Sequence, residues 1–122
     1  MKNKILICRI DSIIEEEIDF LVNNQKVTGF NASPQEVVVN KEYEAEIDIF
    51  VNDALTVETQ KEDKFKKIEN IANGSYILFG KMLENNVLDV GFFITSDLLE
   101  DYKYLEEQYV YLQVDRLQLS FD

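Results

Sequence analysis

Residues 76–95 read YILFGKMLENNVLDVGFFIT, the densest apolar run in the chain. The run breaks at Asn85-Asn86, and Asn accepts the positive φ that both central positions of a primed hairpin turn require. The stretch therefore predicts one β-hairpin from Tyr76 to Thr95. A two-residue turn at that dipeptide sets Leu83 opposite Leu88, Phe79 opposite Phe92 and Ile77 opposite Ile94, on the face expected to meet the core. Lys81 opposite Val90 is the irregular pair on that face. The other face carries Met82 opposite Asp89, Leu78 opposite Phe93 and Gly80 opposite Gly91. Facing glycines leave bare backbone on both strands. The first reading is a sharp bend, as at a barrel corner. The second is a slot for a ligand, with Tyr76, Gly80, Gly91 and Phe93 around it and Tyr76 and Phe93 as a stacking platform.

The chain has 122 residues, the length of one domain with a single core (1–122). No apolar run approaches the roughly 18 residues that span a bilayer. The start, MKNKILICRIDSII, is interrupted by Arg9 and Asp11 and carries no small-residue cleavage site, so a cytoplasmic protein is expected. The single cysteine, Cys8, has no internal disulfide partner and is expected to be a small buried residue. The wealth of Lys, Asn and Ile hints at an AT-rich bacterial genome. Histidine is absent, which removes Ser-His-Asp and Cys-His catalysis and nearly all zinc sites. The 24 acids against 12 bases give a formal charge of −12, a field that repels nucleic acid and anionic membrane and attracts basic partners.

Lys4 to Ile14 alternates as a strand. The acids Glu15, Glu16, Glu17 and Asp19 after it predict a solvated turn or bulge, before a strand resumes at Ile18–Val22. Asn23 to Lys26 is turn chemistry, Val27–Phe30 a short return strand, and Asn31 to Gln35, with Pro34, a loop. Val37 to Val51 holds the clearest alternation. Tyr43, Ala45, Ile47, Ile49 and Val51 share one face, and Glu42, Glu44, Glu46 and Asp48 the other. Same-face acids on a strand lie about 7 Å apart, so this is a concentrated negative stripe. Leu55–Thr59 is expected to be the partner strand. Lys61 to Asn73 switches to a helical period through Phe65, Ile68 and Ile71 or Ala72, and Asn73-Gly74 offers a C-cap. Asp97 with Glu100 fits a capping box, predicting a helix over about 98–107 that buries Leu98, Leu99, Tyr102 and Leu105. The last strand, Tyr109–Phe121, changes phase at Asp115-Arg116, where a bulge would restore one core face.

These elements predict a mainly β fold with two short helices: a small antiparallel barrel, closed or nearly closed. A two-sheet β-sandwich is the alternative. Three strand regions, a helix and a hairpin resemble the OB fold in element order over roughly residues 4–95, with a further helix and strand appended.

Enzyme chemistry is not expected. Glu44 and Glu46 are the nearest approach to a catalytic pair, and a solvated strand face does not raise a carboxylate pKa. No cofactor and no metal site is expected: neither Asn52-Asp53 nor Asn85–Asp89 matches a calcium loop, and the glycines at 29, 74, 80 and 91 form no phosphate loop. The expected function is an acidic, non-enzymatic binding protein that captures a basic protein partner through Glu42, Glu44, Glu46 and Asp48. Tyr109 and Tyr111, on the face opposite Val110, Leu112 and Val114, are candidate interface anchors. In size and acidity the chain is similar to immunity proteins that neutralise nucleases. The alternatives are a small-molecule or oligosaccharide-binding barrel using the glycine slot, and a homodimer formed through Tyr109 and Tyr111. Nucleic acid is not expected: Lys61, Lys64, Lys66 and Lys67 read as a solvated face.

Overall fold

The computed structural model describes residues 1–14, 16–33 and 35–121. Glu15 and Pro34, which the sequence places in loops, lie outside the described residues. The strands in chain order are β1 (Asn3–Ile10), β2 (Glu17–Val22), β3 (Gln25–Asn31), β4 (Glu42–Phe50), β5 (Val57–Thr59) and β6 (Lys67–Ala72). They continue as β7 (Ser75–Met82), β8 (Val87–Asp89), β9 (Phe93–Thr95), β10 (Tyr109–Val114) and β11 (Arg116–Phe121). The fold is mainly β, and a closed five-stranded barrel is its centre. β1 pairs with β2, β2 with β3, β3 with β11, β11 with β4, and β4 with β1 again. The β3–β11 pairing is parallel, and the rest of the ring is antiparallel. This is an OB-like Greek-key barrel with its sheet edges abolished by closure.

The OB-like order runs through different residues from those expected. The ring consists of β1 to β4 and, at the far end of the chain, β11. Residues 51–115 are an insertion between the fourth and last barrel strands. They build a second sheet in the order β9-β8-β7-β10-β5, with β6 pairing β7 on the edge that β8 also uses, opposite β10. β9 runs parallel to β4 at Ile47↔Ile94 and joins the two parts. Ile5, Ile7, Phe20, Ala45, Ile47, Leu117 and Leu119 fill the barrel, while Leu78, Met82, Leu88, Leu99, Val110 and Leu112 lie under the second sheet. All belong to one buried cluster. Apart from Ala45, each such side chain stabilises the fold by about 1.5–3 kcal/mol on burial.

Several elements differ from the sequence reading. Asn85 and Asn86 do take left-handed φ of 63° and 61°. However, Met82 pairs with Leu88, and the Leu83 amide donates to Val87 O at 2.8 Å, so the loop holds three residues rather than two. That one-residue shift exchanges the faces. Tyr76, Leu78 and Met82 point into the core, and Ile77, Phe79 and Lys81 point outward, half-buried. The return strand also divides: β8 folds back into β9 through a turn at Gly91, φ 107°. Gly80 consequently faces its own chain, since a Cβ there would lie 2.3 Å from Asp89 O. Leu55–Thr59 shortens to β5, which pairs with β10 rather than β4.

The helix expected over 61–73 is extended chain ending in the edge strand β6, because β7 offers it a free ladder: Ile68 meets Leu78 while Lys67 and Glu69 stay exposed. Gly74, φ 77°, turns the β6–β7 hairpin rather than capping a helix. The second helix is 3₁₀, Asp97–Leu105, kinked at Tyr102 and capped by Ser96, whose Oγ accepts from the Leu98 amide. Leu99 and Leu105 are buried and Leu98 is exposed. The phase change at Asp115 separates two strands: Val110, Leu112 and Val114 face one part of the core, and Leu117 and Leu119 the other. Asp115 and Arg116 do not pair. Asp115 accepts from the Asn52 amide at 2.7 Å, and the Arg116 guanidinium sits 4.8 Å from the Phe30 ring and 4.5 Å from the Phe50 ring. Cys8 is half-buried rather than buried.

Candidate functional site

β4 places alternate residues on opposite sides of the barrel wall. Ala45, Ile47 and Ile49 are buried, and Glu42, Glu44, Glu46 and Asp48 form a row on the outer face, the first two exposed and the others half-covered. Basic groups flank the row. Lys4 of β1 lies directly across from Glu44, and the Met1 ammonium approaches Glu46 at 4.0 Å. On the other side β11 presents Gln118 across from Asp48 and Ser120 across from Glu46. The row is thus a negative ridge with a neutral polar border toward β11 and a partly compensated one toward β1.

Tyr109 and Tyr111 lie on the outer face of the second sheet, separated from β4 by β9, β8 and β7. Tyr109 is half-buried. Tyr111 is exposed, packs beside Phe79 at 6.1 Å between ring centroids, and donates to Glu58 at 2.6 Å. That bond holds the phenol proton and raises the Tyr111 pKa. Phe65 continues the aromatic row, 4.9 Å from Phe79. The tyrosines and the acidic row are therefore two surfaces, not one.

The residues of the glycine slot are not brought together. Tyr76 is buried, and its hydroxyl accepts from the Thr28 amide at 2.9 Å. Gly80 is closed off by Asp89. Gly91 and Phe93 lie at the β8–β9 turn beside Asn3, whose side chain exchanges two hydrogen bonds with Phe93.

A second charged site arises where the sequence suggested only a solvated turn. An irregularity between Ile7 and Arg9 sets Arg9 opposite Asp19. Its guanidinium donates to Asp19 at 2.8 Å, to Asp11 at 2.7 Å and to Glu17 at 3.4 Å. Glu17 and Asp19 are buried. Thr28 Oγ1 donates to the other Asp19 oxygen at 2.6 Å. The Arg9 hydrogen bond, before any other cause, holds Asp19 below the usual carboxylate range. Asp11 is lowered chiefly by the Ile14 amide, then by Arg9 and the Ile13 amide. Both shifts keep the carboxylates ionised, the opposite of what a general acid at neutral pH requires. The cluster forms one wall of a cleft of about 470 Å³, and Asn70, Asn73 and Gly74 of the β6–β7 hairpin form the other. The only hint of it in the sequence is one arginine beside several carboxylates on adjacent strands.

Fold and surface together define a closed OB-like barrel with an inserted second sheet and an acidic outer strand. The chain belongs to the family described as "Uncharacterised conserved protein UCP019853", whose model matches residues 1–122. No curated protein and no solved structure matches the chain.

Proposed function

We propose that this protein is a non-enzymatic binding protein that captures a basic protein partner, in the manner of an immunity or inhibitor protein. The observation that carries the reading is the row of four carboxylates along the outer face of β4, on a strand held in register on both sides. A rigid strand spaces the charges at about 7 Å without the side-chain and backbone ordering cost of a mobile acidic tail. The charge of −12 steers a cationic partner toward it and speeds encounter at low ionic strength. The ionised state of Asp11 and Asp19 supports a recognition role over proton transfer.

Charge reversal is the test. Glu44→Lys with Glu46→Lys is expected to weaken partner affinity at least about tenfold and to flatten its salt dependence, chiefly through the association rate. Unchanged affinity would remove the row from the interface.

A further inference from the structure

A groove of about 400 Å³ opens between the β1–β2 loop and the β3–β4 loop. Ile10, Ile18 and Val37 give it an apolar floor, and Glu16 and Glu36 stand among its lining residues, which include no base. The Arg9 cleft already holds its own cation; among the described residues lining this groove there is none. Both walls are pinned. Asp11 Oδ1 accepts from the Ile13 and Ile14 amides at 2.7 and 2.6 Å, and the Asn31 amide ties across to Glu16 O at 2.8 Å. Asn31 also organises its own loop, accepting from the Ser33 amide and donating to Gln35 O. Glu16 adopts φ 70°, a left-handed conformation that costs a non-glycine residue free energy. Elsewhere in the described chain that conformation falls almost wholly to Asn and Gly.

We infer that this groove receives a lysine or arginine side chain of the basic partner, its methylene stem on Ile10, Ile18 and Val37 and its cationic head between Glu16 and Glu36. The inference rests on the proposed capture of a basic partner and adds a second contact to it. Charge complementarity selects this occupant. A second copy of the chain brings a charge of −12 to a site lined by carboxylates, and an anionic lipid surface is repelled in the same way. A stem-and-head side chain satisfies both floor and rim, as long cationic side chains do when they lie along apolar surface with the charge at its edge.

The probe is N-butylguanidinium, titrated into the full chain and followed by amide chemical shifts. Saturable shifts grouped on Ile10, Glu16, Ser33 and Val37 are expected, with a dissociation constant on the order of millimolar. Butanol and guanidinium alone should each bind at least about fivefold more weakly. Glu16→Gln with Glu36→Gln should abolish the grouped shifts while leaving the remaining spectrum in place, and Ile10→Ser should weaken them. No grouped shifts, equal shifts over the whole acidic surface, or shifts that survive the double Gln variant would each overturn the inference. Glu44→Lys/Glu46→Lys should leave this titration unchanged. Partner capture that ignores that variant defeats the β4 reading alone, and a silent groove beside charge-dependent capture defeats this inference alone.

Discussion

At the scale of the residue, Arg9 holds the flank of the barrel together. Replacing it with Gln would leave Glu17 and Asp19 buried without their cation. Because Arg9 itself is exposed, the loss is expected to be smaller than for a fully buried pair, read as a fall in the urea midpoint at pH 7. The pH dependence has a definite sign. Asp11 and Asp19 have folded-state pKa values below their ordinary 3.8, so their contribution is present above that value and is lost as pH falls through the lower folded values. Unfolding at successive pH values below about 5 should show a steep loss of stability in the wild type and a shallower one in Arg9→Gln. A parallel loss in both would show that Arg9 does not set those values. Gly80 is the second sensitive position: Gly80→Ala forces a Cβ against the Asp89 carbonyl and should cost about 3 kcal/mol or more, measured in the same way. The sequence drew attention to this glycine but paired it with the wrong partner. By contrast, the Asn residues were legible singly: Asn23, Asn24, Asn85 and Asn86 all take the positive φ that turn chemistry assigns them.

At the scale of the element, β4 was legible because one face is buried and one solvated, and period two is then unambiguous. β6 was not. Phe65, Ile68 and Ile71 satisfy a helical period by chance, and the unpaired edge of β7, which the sequence does not display, draws the segment into extended chain. Glu69, exposed and opposite Ile77 on this edge, discriminates the two states. Glu69→Thr should be more stable than Glu69→Ala by up to about 1 kcal/mol, since β-branched residues suit a pleated surface and Ala suits a helix. The reverse order by thermal unfolding would contradict a strand. The 76–95 register slipped by one for a similar reason. Whether the Asn pair spans a two- or three-residue loop depends on which face the rest of the molecule buries, and a slip of one moves every side chain to the other side.

At the scale of the whole molecule, the mainly β class and the barrel were legible from the frequency of strand patterns. The closure was not. Joining β1 and β3 to strands far along the chain, as in Leu6↔Glu42 and Gln118↔Phe30, is a matter of long-range pairing, and an insertion between the fourth and last barrel strands leaves no local mark. The acidic row was legible as a row. Its flanking Lys4, the separate location of Tyr109 and Tyr111, and the Arg9 cluster depend on strand order and so waited for the fold. The fold gives the acids a purpose beyond solubility only if a cation meets them. The direct measurement is capture from the native host's lysate by the purified protein, at low and then high salt, beside Glu44→Lys/Glu46→Lys. Capture through the β4 row predicts one stoichiometric basic protein, released by salt and not retained by the variant. Retention of no basic protein at low salt, or retention that neither salt nor the variant disturbs, would contradict it.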